Sequence, residues 1–173
     1  PAKGDASKIP NLKPAFAKEG TITAANASSI SDGAAALLMT SETKAKELGL
    51  TPVARVVAHA SFAHEPAKFT TAPVGAIETG GKQAGWTKDD VDLWEVNEAF
   101  AMVSMVAMKE LGLDHAKVNV HGGATALGHP IGASGARIIA TLIAALEKTG
   151  GKKGVASLCI GGGEATAMAV ELV

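Results

Sequence analysis

The stretch Val155-Ala156-Ser157-Leu158-Cys159-Ile160-Gly161-Gly162-Gly163-Glu164-Ala165-Thr166-Ala167-Met168-Ala169-Val170 reads as two apolar strands split by a glycine triplet. The strands run from Val155 to Ile160 and from Ala165 to Val173. So short a connection makes them neighbours that pair antiparallel. Upstream, strand-like and helix-like pieces alternate. Val53 to Ala60 is a buried strand, and Pro73 to Ala84 a helix ending at Gly85. Val91 to Val96 is a strand, and Glu98 to Leu111 an apolar helix closed by Gly112. Val118 to Val120 is a short strand, and Ala133 to Leu146 an apolar helix ending near Gly150. The order βαβαβαββ predicts an α/β domain with a mixed five-stranded sheet, largely buried. The helix from Glu98 to Leu111 is apolar on nearly every side, which predicts burial between two layers.

The segment before Pro52 differs. Residues 1 to 20 are punctuated by Pro1, Gly4, Pro10, Pro14 and Gly20 and read as an irregular arm. Thr21 to Ala27 reads as a short strand. Ser31-Asp32-Gly33 leads into the apolar run Ala34 to Met39, and Thr43 to Leu48 is a helix stopping at Gly49.

Composition narrows the function classes. With 173 residues, 47% hydrophobic and 19% charged, the chain supports a real core. A net charge of -1, with no basic cluster, argues against a nucleic-acid or anionic membrane partner. A single cysteine excludes an internal disulfide framework and a multi-cysteine zinc site. No apolar run reaches membrane-spanning length, and Glu171-Leu172-Val173 is not a peroxisomal address. The expected setting is a reducing one, cytoplasmic or, in a eukaryote, mitochondrial. The chain begins at Pro1 and is expected to be part of a longer product.

Three blocks carry chemistry. Cys159 in front of Gly161-Gly162-Gly163 is either a small buried hydrophobe or a thiol beside free backbone N–H donors. His129 lies within Gly122-Gly123-Ala124-Thr125-Ala126-Leu127-Gly128-His129-Pro130-Ile131-Gly132-Ala133-Ser134-Gly135, just before an apolar helix. Alone it could be a satisfied core histidine. The helix N-terminus could lower the pKa of a nearby thiol. Phosphate binding is the rival reading, but no Gly-Lys-Ser/Thr is present, and the glycine spacing fails the dinucleotide fingerprint. Asn97, in Asn97-Glu98-Ala99-Phe100, is either a helix cap or a buried amide that positions a water or an oxyanion. His59, His64, His115 and His121 lack metal-ligand spacing and read as structural.

These blocks, in this order, strongly resemble the three C-terminal signatures of the thiolases. Thr23-Ala24-Ala25-Asn26-Ala27-Ser28 with Asp32-Gly33-Ala34-Ala35 resembles a further thiolase segment. The match is nearest to the short-chain, biosynthetic type. The resemblance implies one half of a layered αβαβα sandwich with a buried helix layer. It also implies reversible Claisen condensation of two acetyl-CoA to acetoacetyl-CoA through an acyl-cysteine. No cofactor or metal is implied, the coenzyme A thioesters being substrates. It implies that Cys159 is the acid/base at the α-carbon and that His129 activates the nucleophile and binds the thioester oxygen. Asn97 would hold a water in that oxyanion site, and the Gly161 N–H would serve a second one. Ser28, Ala27, Phe69 and Phe100 would line the pantetheine tunnel.

The family's nucleophilic cysteine has no counterpart here. The chain is therefore expected to be the C-terminal part of a thiolase. Residues 1–29 would be the tail of a loop domain, 30–51 the last elements of the N-terminal domain, and 52–173 the C-terminal domain. The partner would be the missing N-terminal half, in a homodimer or homotetramer. Isolated, the chain is expected to be inactive. The alternatives are a degradative 3-ketoacyl-CoA thiolase, a decarboxylating ketoacyl synthase, and a non-catalytic binding fragment of the same fold.

Overall fold

Four strands build one mixed sheet in the computed structural model, which describes residues 4–173; the first three residues of the arm lie outside the described residues. The elements are α1 (Glu42–Glu47), β1 (Ala54–Ala63), α2 (Ala72–Ala84), β2 (Leu93–Val96), α3 (Ala101–Leu111), α4 (Ala124–Leu127), α5 (Ser134–Thr149), β3 (Lys153–Ile160) and β4 (Glu164–Leu172). The strand order is β1-β4-β3-β2. β3 and β4 pair antiparallel across the glycine triplet, with Cys159 opposite Ala165 and Ile160 opposite Glu164. β1 pairs antiparallel with β4, and β2 parallel with β3. β1, β2 and β3 therefore all finish at the same edge, where α/β sheets carry their sites.

The period-two alternation of the strands sorts the core into two layers. Val155, Cys159, Ala165, Ala167 and Ala169 join Trp94 and Val96 against α2 and α3. Leu93, Ala156 and Val170 pack with Ile138, Leu142, Ala145 and Leu146 of α5 on the other face. Leu142 and Leu146 are fully buried; side chains of this kind contribute roughly 1.5–3 kcal/mol each by leaving water. The three long helices end where glycine was expected to end them, at Gly85, Gly112 and Gly150.

Several expectations are corrected. The sheet has four strands, because Val118–Val120 contributes only an isolated bridge, Trp94 to Val118. The next rung comes from a side chain. Asn119 Oδ1 accepts from the Val96 N–H at 2.9 Å while its Nδ2 donates to the Val96 carbonyl at 2.9 Å. That geometry needs a left-handed backbone (φ 49) at Asn119, a residue type that tolerates it. α3 starts three residues later than expected and is covered on one side only. Val103, Ser104 and Ala107 are buried, whereas Met105 is 61% exposed. The arm contains a 3-10 helix, Ala6–Asn11, and Thr21–Ala27 forms a turn with one bridge rather than a strand. Residues 31–39 belong to no helix or strand, and Ile30, Leu38 and Met39 are exposed. α5 likewise keeps an open face of small and branched residues, Ala136, Ile139, Ala140, Ile143 and Ala144, each half-buried or exposed.

Candidate active site

Asn97 extends β2 by one step, its N–H donating to the Ser157 carbonyl at 2.9 Å. Strand alternation puts Leu93, Glu95 and Asn97 on the α5 face. Asn97 is 1% exposed, so its amide must find partners inside the protein. Its Oδ1 accepts from Arg137 Nη2 at 3.2 Å. Its Nδ2 lies 3.4 Å from His129 Nε2. The helix-cap reading of Asn97 falls, because α3 begins at Ala101, with Phe100 at the cap position and no side-chain cap.

His129 is fixed from both sides. Its N–H donates to the Ser29 carbonyl at 2.9 Å, and it forms a parallel bridge with Ile30. Its Nδ1 sits 2.6 Å from Ser134 Oγ, the first residue of α5. The Ser134 hydroxyl donates its one proton to the Pro130 carbonyl at 3.0 Å. That hydroxyl can then only accept from the ring, so Nδ1 carries the hydrogen and Nε2 presents a lone pair toward Asn97. Burial, reinforced by the Arg137 guanidinium, holds the His129 pKa below the usual imidazole value. His129 is thus a neutral base with its lone pair aimed at the sheet edge.

Cys159 occupies the same edge from the opposite face, in the core layer against which Phe69, Ala99 and Phe100 pack. Burial pushes its thiol pKa up, outweighing a hydrogen bond from its own backbone N–H. The resting group is therefore a protonated acid. Among the described residues no hydrogen bond joins Cys159 to His129.

The glycine triplet is a turn with two jobs. Gly163 has φ +98, and a Cβ there would run into the His64 carbonyl. Its own carbonyl accepts from the His64 N–H at 3.0 Å, which seats the Pro66–Thr71 segment and Phe69 on the turn. Gly161, by contrast, has nothing within 4 Å of a Cβ position. Among the described residues its N–H takes no backbone carbonyl, while Gly163 uses Ile160.

The four residues expected to line a tunnel are also gathered. Ala27 bridges to Phe100, and the Ser28 hydroxyl donates to the Ala99 carbonyl at 2.8 Å. Phe69 and Phe100 meet edge to face at 6.4 Å, and Phe16 meets Phe100 edge to face at 5.6 Å. His59 and His64 are satisfied locally, by Thr166 Oγ1 and the Lys68 carbonyl. Among the described residues no cluster of three His, Cys, Asp or Glu side chains could hold a metal ion, and no helix is long and apolar enough to cross a membrane.

Sequence reasoning missed the supporting shell. Ser134, Arg137, Glu95, Glu98 and Asn119 were not singled out. Glu98 accepts from Asn119 Nδ2 at 3.1 Å and from the Thr125 N–H at 3.2 Å, tying the loop before His129 to the sheet edge. Glu95, 2% exposed, lies 3.7 Å from Arg137 Nη1 and leaves Oε1 without a partner. Burial pushes its carboxyl up to about 7, the Arg137 charge opposing and Glu98 adding to the shift. The available signal was a charge inside each of two apolar elements: Glu95 in Leu93–Val96, and Arg137 between Ala136 and Ile138.

Comparison with known proteins gives the family. The thiolase C-terminal domain family matches residues 50–172, and the thiolase N-terminal domain family matches residues 2–43. The chain belongs to the thiolase family. An acetyl-CoA acetyltransferase of Thiocystis violacea is 54% identical over 166 residues, 96% of this chain and 42% of that protein. The Bacillus anthracis acetyl-CoA acetyltransferase superimposes with a TM-score of 0.96 at 47% identity, covering all of this chain and 44% of that one. The Acat5 thiolase of Ascaris suum, solved in complex with coenzyme A, gives 0.90 at 43% identity over 99% of this chain and 45% of its own. This thiolase chain thus spans less than half the length of the relatives it matches.

Proposed function

We propose that this chain is the C-terminal part of an acetyl-CoA C-acetyltransferase that condenses two acetyl-CoA to acetoacetyl-CoA and coenzyme A, reversibly. The observation that carries the reading is the neutral His129, its Nε2 lone pair beside the Asn97 amide at the edge where Cys159 lies one residue before the end of β3. In this reading, His129 Nε2 takes the thiol proton of a nucleophilic cysteine supplied by the N-terminal half. The thiolate attacks acetyl-CoA, and the imidazolium Nε2–H and a water held by Asn97 stabilise the thioester oxygen. Cys159, resting as a thiol, protonates the departing coenzyme A thiolate. As a thiolate it then removes the α-proton of the second acetyl-CoA, whose enolate oxygen meets the Gly161 N–H. The enolate attacks the acyl group, the nucleophile leaves as thiolate, and His129 returns its proton. Both groups end as they began.

Ser28, Ala27, Phe69 and Phe100 form the wall along which the pantetheine arm lies. Ser28 Oγ is committed as a donor to Ala99, so it meets the arm as an acceptor. Residues 1–29, 30–51 and 52–173 are the loop-domain tail, the end of the N-terminal domain and the C-terminal domain. The exposed run Ala34–Met39 and the open face of α5 are where the N-terminal half packs, in a homodimer or homotetramer.

The test uses the full-length protein that carries this chain, labelled with radioactive acetyl-CoA. Cys159→Ala should still form acyl-enzyme but lose condensation by ~10²–10⁴-fold. His129→Asn should lose acylation itself by a comparable factor. Abolished acylation in Cys159→Ala, or a normal acylation burst in His129→Asn, would overturn these roles.

A further inference from the structure

We propose that Arg137 is a positioning residue, which sets the direction of the Asn97 amide and so decides that a donor, not an acceptor, faces His129 Nε2. The inference rests on the reading of Asn97 and His129 just given.

An asparagine side chain is nearly symmetric in shape and can turn its oxygen and nitrogen over. At Asn97 the two directions differ in chemistry. With Nδ2 toward His129, the amide offers N–H donors at the place where a thioester oxygen or its water would sit. With Oδ1 there, it would offer lone pairs against the ring's own lone pair and against the substrate oxygen. Asn97 is buried, so the choice is made by its protein neighbours. One of them is Arg137, whose guanidinium can only donate. It stands 3.2 Å from Oδ1 and forces that end to be the oxygen.

Arg137 is itself held in place. It projects from the first turns of α5, three residues after Ser134, so Ser134 and Arg137 share one helix face. Ser134 fixes Nδ1 of His129, and Arg137, through Asn97, fixes what meets Nε2. The same short piece of helix thereby sets both nitrogens. Its other guanidinium nitrogen faces the buried carboxylate of Glu95 on β2, at 3.7 Å. That contact is one of charge rather than a hydrogen bond, since Nη1 has no hydrogen-bond partner, and the arginine side chain is only about one-fifth exposed. Glu95 and Asn97 project from the same face of β2, two residues apart, so one arginine spans both.

The test separates this role from a merely structural one. The variants are Arg137→Met and, to avoid an orphaned buried carboxylate, Glu95→Gln with Arg137→Met, both in the full-length protein. Neutron diffraction distinguishes Nδ2 from Oδ1 directly. The expected result is an Asn97 amide turned over or split between two directions, with the surrounding backbone unchanged. An amide that keeps its direction without the guanidinium overturns the proposal, whatever reaction the protein performs. The second measurement is a double-mutant cycle on the acylation step with Asn97→Ala. Arg137→Met alone should slow acylation by up to about 10²-fold, as misplacement of a catalytic group does, with little change in KM. In the Asn97→Ala background it should cost nothing more. Full additivity would show that Arg137 acts elsewhere and would sink the proposal. A wild-type protein that never forms an acyl-enzyme would refute the functional reading instead, and the amide direction would still decide the role of Arg137.

Discussion

Replacing Glu95 by Gln should stabilise the protein, increasingly as pH rises from about 4.5 to above 7. The carboxyl is buried, one oxygen has no partner, and its pKa rises from the ordinary 4.5 to about 7. A folded-state pKa above the unfolded value means that the folded state holds its proton more tightly. Stability from this group is therefore complete below pH 4.5 and is lost as pH rises through 7. A shift of roughly 2.5 pH units at 1.36 kcal/mol each gives about 3 kcal/mol lost by pH 8. Glutamine has the same shape and cannot ionise, so it escapes that loss. The stabilisation by Glu95→Gln should be near zero at pH 4.5, grow through pH 6, and level off at about 3 kcal/mol above pH 7.5. Urea unfolding of both proteins across that range reads it directly. At constant m-value, the midpoint difference should open with pH. A difference independent of pH, or loss of stability at pH 8, would refute the reasoning. It would mean that the Glu95 pKa is not raised by folding and that its pairing with Arg137 offsets or outweighs the cost of burial.

The glycine triplet should tolerate change unevenly. Gly163→Ala forces a Cβ into the His64 carbonyl at φ +98 and should cost at least about 2 kcal/mol in urea unfolding, whereas Gly161→Ala meets nothing within 4 Å and should stay within about 1 kcal/mol. Equal costs at both positions would refute the turn geometry described here. Cys159, buried and with its pKa raised, should react with iodoacetamide more slowly than a free cysteine at pH 7.5 and accelerate only at a higher pH than a free cysteine does. Rapid alkylation at pH 7 would show a preformed thiolate and contradict its assignment as a resting acid.

Much of the fold was legible because it follows from period and punctuation. The hairpin around Gly161–Gly163, the helix stops at Gly85, Gly112 and Gly150, and the alternation of strand and helix all recur in the structure. The candidate site residues stood out as unusual residues in costly glycine-rich contexts, and the structure brings Asn97 and His129 together. What was not legible depended on partners distant in sequence. Val118–Val120 has the composition of a strand, yet the rung beyond Val118 is supplied by the Asn119 side chain, a substitution that no local pattern signals. α3 looked two-sided because methionine counts as apolar wherever it lies, and Met105 faces outward. The upward shift of Cys159 was not legible because it comes from desolvation, which is set by tertiary packing. Arg137 was overlooked because its partners, Asn97 and Glu95, lie 40 or more positions upstream.

The rung made by Asn119 also bears on association between molecules. A strand edge is a template, since its free N–H and C=O groups will accept another strand from a neighbouring chain. At β2 that template is filled: the side chain of Asn119 occupies both groups of Val96, and its backbone N–H occupies the Trp94 carbonyl at 2.9 Å. The amide cannot pass the pattern on, because behind it stands a side chain and a sharp left-handed turn rather than a further edge. Growth of the sheet by strand addition, whether into an ordered assembly or a fibril, is thus blocked on the side where the candidate catalytic groups lie and has only the β1 side to proceed from.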